Sequence, residues 1–239
     1  RASAKRITVV MPFYPYARQD KKHLGREPIS ARLLADMFKT AGADRLMSVD
    51  LHTAQIQGFF DGPVDHLFAL PLLADYIADK YGGAFTVVSP DTGRVRMAER
   101  WADRLGGAPV AFVHKTRDPK VANQVVAHRV VGDVEGQRCL LIDDMIATGG
   151  TITKASEILL DSGATEVVVA ATHGEFSEPA IDRLKNSRIS EVVVTNTLPL
   201  TDDQLYDGLT VLSIAPLLAR AIKEVFEDGS VTSLFDGNA

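Results

Sequence analysis

Short runs dense in valine, isoleucine and leucine alternate along this chain with stretches whose apolar residues recur at spacings of three and four. The runs are Ile7–Met11, Leu46–Val49, Phe85–Val88, Val110–Val113, Cys139–Ile142, Val167–Ala171, Val192–Thr195 and Val211–Ile214. They are nearly continuous rather than alternating, as strands read when a parallel sheet buries both of their faces. Between them the spacing predicts helices over Pro28–Ala41, Asp75–Tyr81, Val95–Leu105, Thr151–Ser162, Pro179–Leu184 and Ala215–Phe226. The first carries a proline in its first turn and stops before Gly42. Such alternation predicts an α/β fold with parallel sheets flanked by helices. Its recurrence before and after residue 70 allows two similar domains.

Composition narrows the class further. With 239 residues, 46% apolar, 24% charged and a net charge of -5, the chain is neither disordered nor fibrous. Its length fits one large domain or two small ones. A single cysteine, Cys139, excludes a disulfide framework and a cysteine-clustered zinc site. No apolar run reaches the roughly 20 residues that span a bilayer, and the basic start RASAKR has no signal-peptide core behind it. A soluble cytoplasmic chain without a membrane partner is expected. The mildly acidic balance argues against nucleic acid as a partner. The chain opens on Arg1, without an initiator methionine, and a strand follows almost at once, as in a processed, cut or partial chain. Residues 114–136 are polar and lack helical periodicity, and a connection that long is usually functional or mobile. The polar tail 227–239 retains Val231, Leu234 and Phe235, which would let part of it dock.

The stretch with the most chemical content is Cys139-Leu-Leu-Ile-Asp143-Asp144-Met-Ile-Ala147-Thr148-Gly149-Gly150-Thr151. A buried strand delivers two adjacent carboxylates, and a loop of small residues then opens a helix. Backbone N–H groups can converge in such a loop, and the helix N-terminus adds positive dipole, so a phosphate fits there. The two acids are placed to accept hydrogen bonds from sugar hydroxyls, or to bind a metal bridging them. Thr-Gly-Gly-Thr alone reads equally well as an ordinary helix cap after a strand; the whole run does not. No Gly-x-x-x-x-Gly-Lys-Ser/Thr loop occurs, and Ser89 and His52 form no nucleophile elbow.

This pattern resembles the phosphoribosyl-diphosphate loop of the type I phosphoribosyltransferase fold. The rest of the chain resembles the ribose-phosphate pyrophosphokinases (phosphoribosyl-diphosphate synthetases) of the bacterial class I type. The resemblance rests on Pro15-Tyr-Ala-Arg-Gln-Asp-Lys-Lys22, Val49-Asp-Leu-His-Thr-Ala-Gln-Ile-Gln-Gly-Phe-Phe60, Val87-Val-Ser-Pro-Asp-Thr-Gly93, His114-Lys-Thr-Arg117 and Thr195-Asn-Thr-Leu-Pro199. It implies two phosphoribosyltransferase-like domains, the first incomplete. Residues 1–69 would be what remains of the N-terminal domain and residues 70–212 the C-terminal domain, with a mobile loop over 114–136. Residues 213–239 would form a helix and tail packing back on the first domain.

The implied reaction transfers the diphosphate of magnesium ATP to the 1-hydroxyl of ribose 5-phosphate, giving 5-phosphoribosyl 1-diphosphate and AMP. On that resemblance Arg18, Gln19 and His23 contact ATP, and His52 and Asp91 form the magnesium site. Lys115 and Arg117 head the catalytic loop. Arg117, Asp143, Asp144 and the stretch Ala147, Thr148, Gly149, Gly150, Thr151 bind ribose 5-phosphate. Arg26 matches a position used in phosphate or nucleotide regulation. Asp20, Lys21 and Lys22 otherwise read as a solvated charged run, and His66 and His173 as structural histidines. The family assembles as homo-oligomers, dimers built into hexamers.

Two departures stand out. The family's third acid before Thr-Gly-Gly is Ala147 here. The family's N-terminal segment does not precede Arg1, so the nucleotide site should be incomplete and the sheet bearing Ile7–Met11 should lack partners, an association hazard. A catalytically silent regulatory homologue and a phosphoribosyltransferase are the alternative readings.

Overall fold

The computed structural model describes residues 2–22, 24–116 and 127–235. It divides into two compact units, Arg1–Ala69 together with Ile214–Ala239, and Leu70–Ser213.

In the first unit, strands β1 (Thr8–Val10), β2 (Arg45–Val49) and β3 (Val64–Leu67) form a parallel sheet in the order β1-β2-β3. Helix α1 (Ser30–Ala41) ends where Gly42, at φ 101°, turns left-handed and returns its N–H to the carbonyls of Lys39 and Phe38. Tyr14, Ala31, Ala35, Leu46, Ile56 and Phe60 form the core of this unit. β1 pairs with β2 from Thr8↔Arg45 to Val10↔Met47 and forms the edge of this sheet. β3 escapes the apolar pattern because its middle residues are Asp65 and His66. Asp65 spends its charge on Arg45 of β2, at 2.8 and 2.9 Å. His66 Nε2 accepts from the Leu51 N–H at 2.9 Å. Helix α6 (Ala215–Phe226) and a final 3-10 turn over Val231–Phe235 belong to the same unit, and Phe235 meets the Phe68 ring edge-on at 5.5 Å.

The second unit carries helices α2 (Leu70–Tyr81), α3 (Val95–Arg104), α4 (Gly150–Asp161) and α5 (Ala180–Lys185). Its strands are β4 (Thr86–Ser89), β5 (Val110–Thr116), β6 (Ala127–Val131), β7 (Arg138–Ile146), β8 (Glu166–Gly174), β9 (Glu191–Thr195) and β10 (Leu209–Leu212). They lie in the order β10-β9-β8-β7-β4-β5-β6, all parallel except β6 against β5. β7 and β8 supply Cys139, Leu141, Val167 and Val169, all fully buried, and Ile152, Ala155 and Leu159 of α4 pack against them. A strand buried on both faces needs the unbroken apolar run seen in its sequence.

The connection expected over 114–136 is partly strand. Residues 114–116 complete β5, and Ala127–Val131 return antiparallel with Phe112 opposite Val131. An edge strand can carry polar residues such as Arg129, so no continuous apolar run marked it.

β4 and β7 are neighbours, but the chain leaves them in opposite directions, through α3 to β5 and through α4 to β8. Right-handed crossovers then place α3 and α4 on opposite faces and leave a crevice beyond the carboxyl ends of β4 and β7. That is where a doubly wound sheet binds its ligands.

Burial of Cys139, 0% exposed in β7, pushes its thiol up to about 11. Ellman's reagent should therefore find no reactive thiol in the native protein at pH 8 and one in denaturant; rapid native reaction would contradict the buried β7.

Candidate functional site

The crevice is lined by groups from β7, the loop after it and the turn after β4. Asp143 and Asp144 lie on β7, the first partly buried and the second 2% exposed. Asp143 Oδ1 accepts the Asp144 N–H at 2.9 Å. Burial pushes the Asp143 carboxyl well above the usual carboxylate range, Asp144 pushes it the same way, and Arg94 pulls it back. Arg94 Nη2 lies 2.8 Å from Asp144 Oδ1, and its Nε lies 3.4 Å from Asp143 Oδ1.

Beyond the acids, Gly149 caps α4 at φ 73°, a conformation in which any side chain would strain the backbone. The first N–H groups of α4 have no carbonyl a turn earlier, and the helix dipole adds positive potential. Thr148 and Thr151 beside them are exposed. Arg183 of α5 donates to the Thr148 carbonyl at 2.9 Å and fixes the loop from the side. After β4, the exposed Asp91 accepts the Gly93 N–H through Oδ1 at 2.7 Å and caps a short 3-10 turn.

The structure therefore brings together Asp143, Asp144 and the stretch Ala147–Thr151, with Arg94 tying the Asp91 turn to the acid pair. Lys115 lies at the end of β5, opposite His128 in the hairpin register. Arg117 and His23 lie outside the described residues.

In the first unit, Tyr16 at φ 59° turns the chain, and the Gln19 N–H closes the turn on the Tyr16 carbonyl at 2.8 Å. Arg18 and Gln19 are left exposed. Asp20 is no solvated member of a charged run. It is 5% exposed, and its Oδ2 accepts from the Thr53 hydroxyl at 2.5 Å and the Gln55 amide at 2.8 Å. That carboxylate pins the Arg18–Gln19 turn to the segment that follows His52. Before His52, Asp50 adopts φ 40° and its carboxylate accepts the Ala69 N–H at 2.9 Å. The half-buried His52 is thus held on both sides. His173 is structural, 1% exposed with Nδ1 at 2.8 Å from the Thr197 hydroxyl.

Sequence reasoning missed Arg94 and Arg183. Arg94 could have been found, because it closes the Asp91-Thr-Gly-Arg94 turn of a motif already singled out. Arg183 carried no signal, since only the tertiary fold brings α5 to a loop some thirty residues earlier.

Among the described residues no cluster of three or more His, Cys, Asp or Glu side chains could hold a metal ion. A divalent ion here would rest on one or two protein ligands, water and phosphate oxygens, which is how magnesium binds. Asp91 has the right chemistry, a surface carboxylate with only Oδ1 committed to the backbone.

Two family models match the chain, one described as a phosphoribosyl synthetase-associated domain over residues 113–236 and the other as the N-terminal domain of ribose phosphate pyrophosphokinase over residues 1–42. The ribose-phosphate pyrophosphokinase of Mycobacterium tuberculosis H37Rv is 67% identical over 240 residues, covering 100% of this chain and 74% of the relative. That of Streptomyces coelicolor is 69% identical over 237 residues, covering 99% and 73%. The crystal structure of phosphoribosylpyrophosphate synthetase from Mycobacterium smegmatis matches with a TM-score of 0.90 and 63% identity, over 96% of this chain and 74% of that one.

Two stability measurements check this geometry. Asp20→Ala leaves Thr53 and Gln55 without their shared acceptor and should destabilise the protein by about 1–3 kcal/mol in urea unfolding; no change would contradict the buried tie. Asp143 has a folded pKa above its unfolded one, so its ionised form costs stability at neutral pH and that cost disappears as pH falls through the folded value. Asp143→Asn keeps the Oδ1 acceptor and removes the charge. It should raise the melting temperature at pH 7 by roughly 2–4 °C, the scale of 1 kcal/mol in a chain this long. A fall would show the charge to be stabilising.

Proposed function

The chain belongs to the ribose-phosphate pyrophosphokinase family, and on that premise we propose how its residues divide the synthesis of 5-phosphoribosyl 1-diphosphate and AMP from ATP and ribose 5-phosphate. The observation that carries the assignment is the β7–α4 junction, where two acids and a glycine-capped helix N-terminus sit at the switch between β4 and β7. The backbone N–H groups from Ala147 to Thr151 hold the 5-phosphate against the positive end of α4. Asp143 and Asp144 accept hydrogen bonds from the pentose hydroxyls and fix the ring. The anomeric hydroxyl is thereby oriented for in-line attack on the β-phosphorus of ATP, with AMP as the leaving group.

Arg18 and Gln19 contact the nucleotide, Arg18 by stacking or gripping phosphate and Gln19 by paired donor and acceptor, and His23 belongs to the same group. His52 and Asp91 would hold magnesium, whose chemistry here is to neutralise phosphate charge. Lys115 and Arg117 bring two cations to the diphosphate as charge accumulates on it, and closure of their segment keeps water from the phosphorus. Residues 1–69 and 70–212 act as two phosphoribosyltransferase-like domains, with 213–239 returning to the first. Assembly into dimers and a hexamer is part of the same reading, supported by Leu33 and Met37, which lie four residues apart on α1 and are 60% and 59% exposed.

Ala147 leaves the phosphate-binding backbone intact, because N–H groups need no side chain. It removes a carboxylate that the family places near the ribose. In a coupled assay of AMP formation from ATP and ribose 5-phosphate, the chain should turn over slowly. Ala147→Asp should raise kcat/KM for ribose 5-phosphate by about tenfold or more, the scale of one charged hydrogen bond. Absence of turnover by both folded proteins would instead favour a silent regulatory homologue.

A further inference from the structure

Arg94 occupies a position at which a helix gains nothing from it. It is the N-cap of α3, at φ -106° and ψ 8°, with no hydrogen bond from its side chain to the helix. Serine, threonine, aspartate and asparagine serve that position best, because their side chains accept the unpaired first N–H groups. A cation there also faces the positive end of the helix dipole. A local rule broken without local compensation points to a site-level reason.

That reason lies across the crevice. The guanidinium reaches from the β4–α3 turn to β7, with Nη2 at 2.8 Å from Asp144 and Nε at 3.4 Å from Asp143. Its side chain is 20% exposed and those of the two acids are 2% and 15% exposed. Two adjacent carboxylates with so little solvent repel one another and are costly to ionise together. A planar guanidinium can engage two carboxylates at once, which a compact ammonium does less directionally.

We propose that Arg94 is a positioning residue for ribose 5-phosphate: by bridging Asp143 and Asp144 it holds both carboxyl groups in one arrangement as acceptors for the pentose hydroxyls. The proposal rests on the reading of the acid pair as the ribose-holding group. Arg94 itself touches no substrate in this scheme. Its effect falls on pentose affinity and not on the nucleotide, because its two partners are the acids of β7.

Isothermal titration of the full chain with ribose 5-phosphate, and separately with magnesium ATP, tests it. Arg94→Gln should weaken ribose 5-phosphate binding at least about tenfold, the scale of one charged hydrogen bond, and leave the ATP affinity within about twofold. Arg94→Lys, which keeps the charge without the planar fork, should recover only part of the loss. Arg94→Met, uncharged and of similar length, should repeat the Gln result and stands in for it should Arg94→Gln not fold. Unchanged or tighter binding of the sugar phosphate by the uncharged variants overturns the proposal, and tighter binding would make Arg94 a plug. An equal loss for both ligands, or a Lys variant as weak as Gln, overturns it as well. Asp143→Asn provides the separate check on the premise. If it leaves ribose 5-phosphate affinity unchanged, the ribose-holding reading of the acids fails and the Arg94 proposal falls with it.

Discussion

Everything in the candidate site depends on β4 and β7 lying side by side in parallel while their following helices leave in opposite directions. Thr86 pairs with Cys139 and Val88 with Leu141, so β4 stops at Ser89 while β7 runs on to Ile146. The crevice this creates is a topological consequence and needs no special residues. Particular residues then give it chemistry. β7 continues beyond its apolar run into Asp143 and Asp144, and Gly149 lets the chain turn directly into α4. On the proposed reading, carboxylates for hydroxyls and N–H groups for a phosphate thereby sit within a few residues of each other on one strand–helix junction. On that reading the pentose is oriented by the strand–helix junction itself.

The same junction concentrates electrostatic cost. Packing two acids at the end of a buried strand raises the free energy of their charged forms, and a nearby cation offsets part of it. Arg94 supplies that cation from the neighbouring strand's turn, while Arg183 holds the loop carbonyl of Thr148. Both arginines act on groups that would touch substrate and not on the substrate itself. Glu191 is compensated differently. Glu191, 6% exposed, accepts from Tyr76, Lys80, Tyr81 and Thr210 at 2.5–2.8 Å, and these donors together hold its pKa down. The contrast separates a structural acid, surrounded by donors, from a pair of acids sharing one guanidinium.

Much of the second unit was legible because central strands buried on both faces must be apolar without interruption, as Val167–Ala171 and Val192–Val194 are. β3 was not, since Asp65 and His66 exchange apolar burial for an ion pair and a backbone acceptor. β6 was hidden by the tolerance of a sheet edge for polar residues. At the candidate site, the strand, small-residue loop and helix after Cys139 were legible as one junction, because such a loop leaves the first N–H groups of the helix open to an anion. Asp20 was misread as solvated because its burial comes from Thr53 and Gln55, distant in the chain. Arg94 was overlooked because its partners lie across the crevice.

The central claim is that the β7–α4 junction receives ribose 5-phosphate. A crystal structure of the chain with that sugar phosphate bound tests it most directly. The account predicts the 5-phosphate on the N–H groups of Ala147 to Thr151, with pentose hydroxyls within hydrogen-bond distance of Asp143 and Asp144. A phosphate seated away from the start of α4, or a pentose that leaves both carboxylates to Arg94 alone, would contradict it.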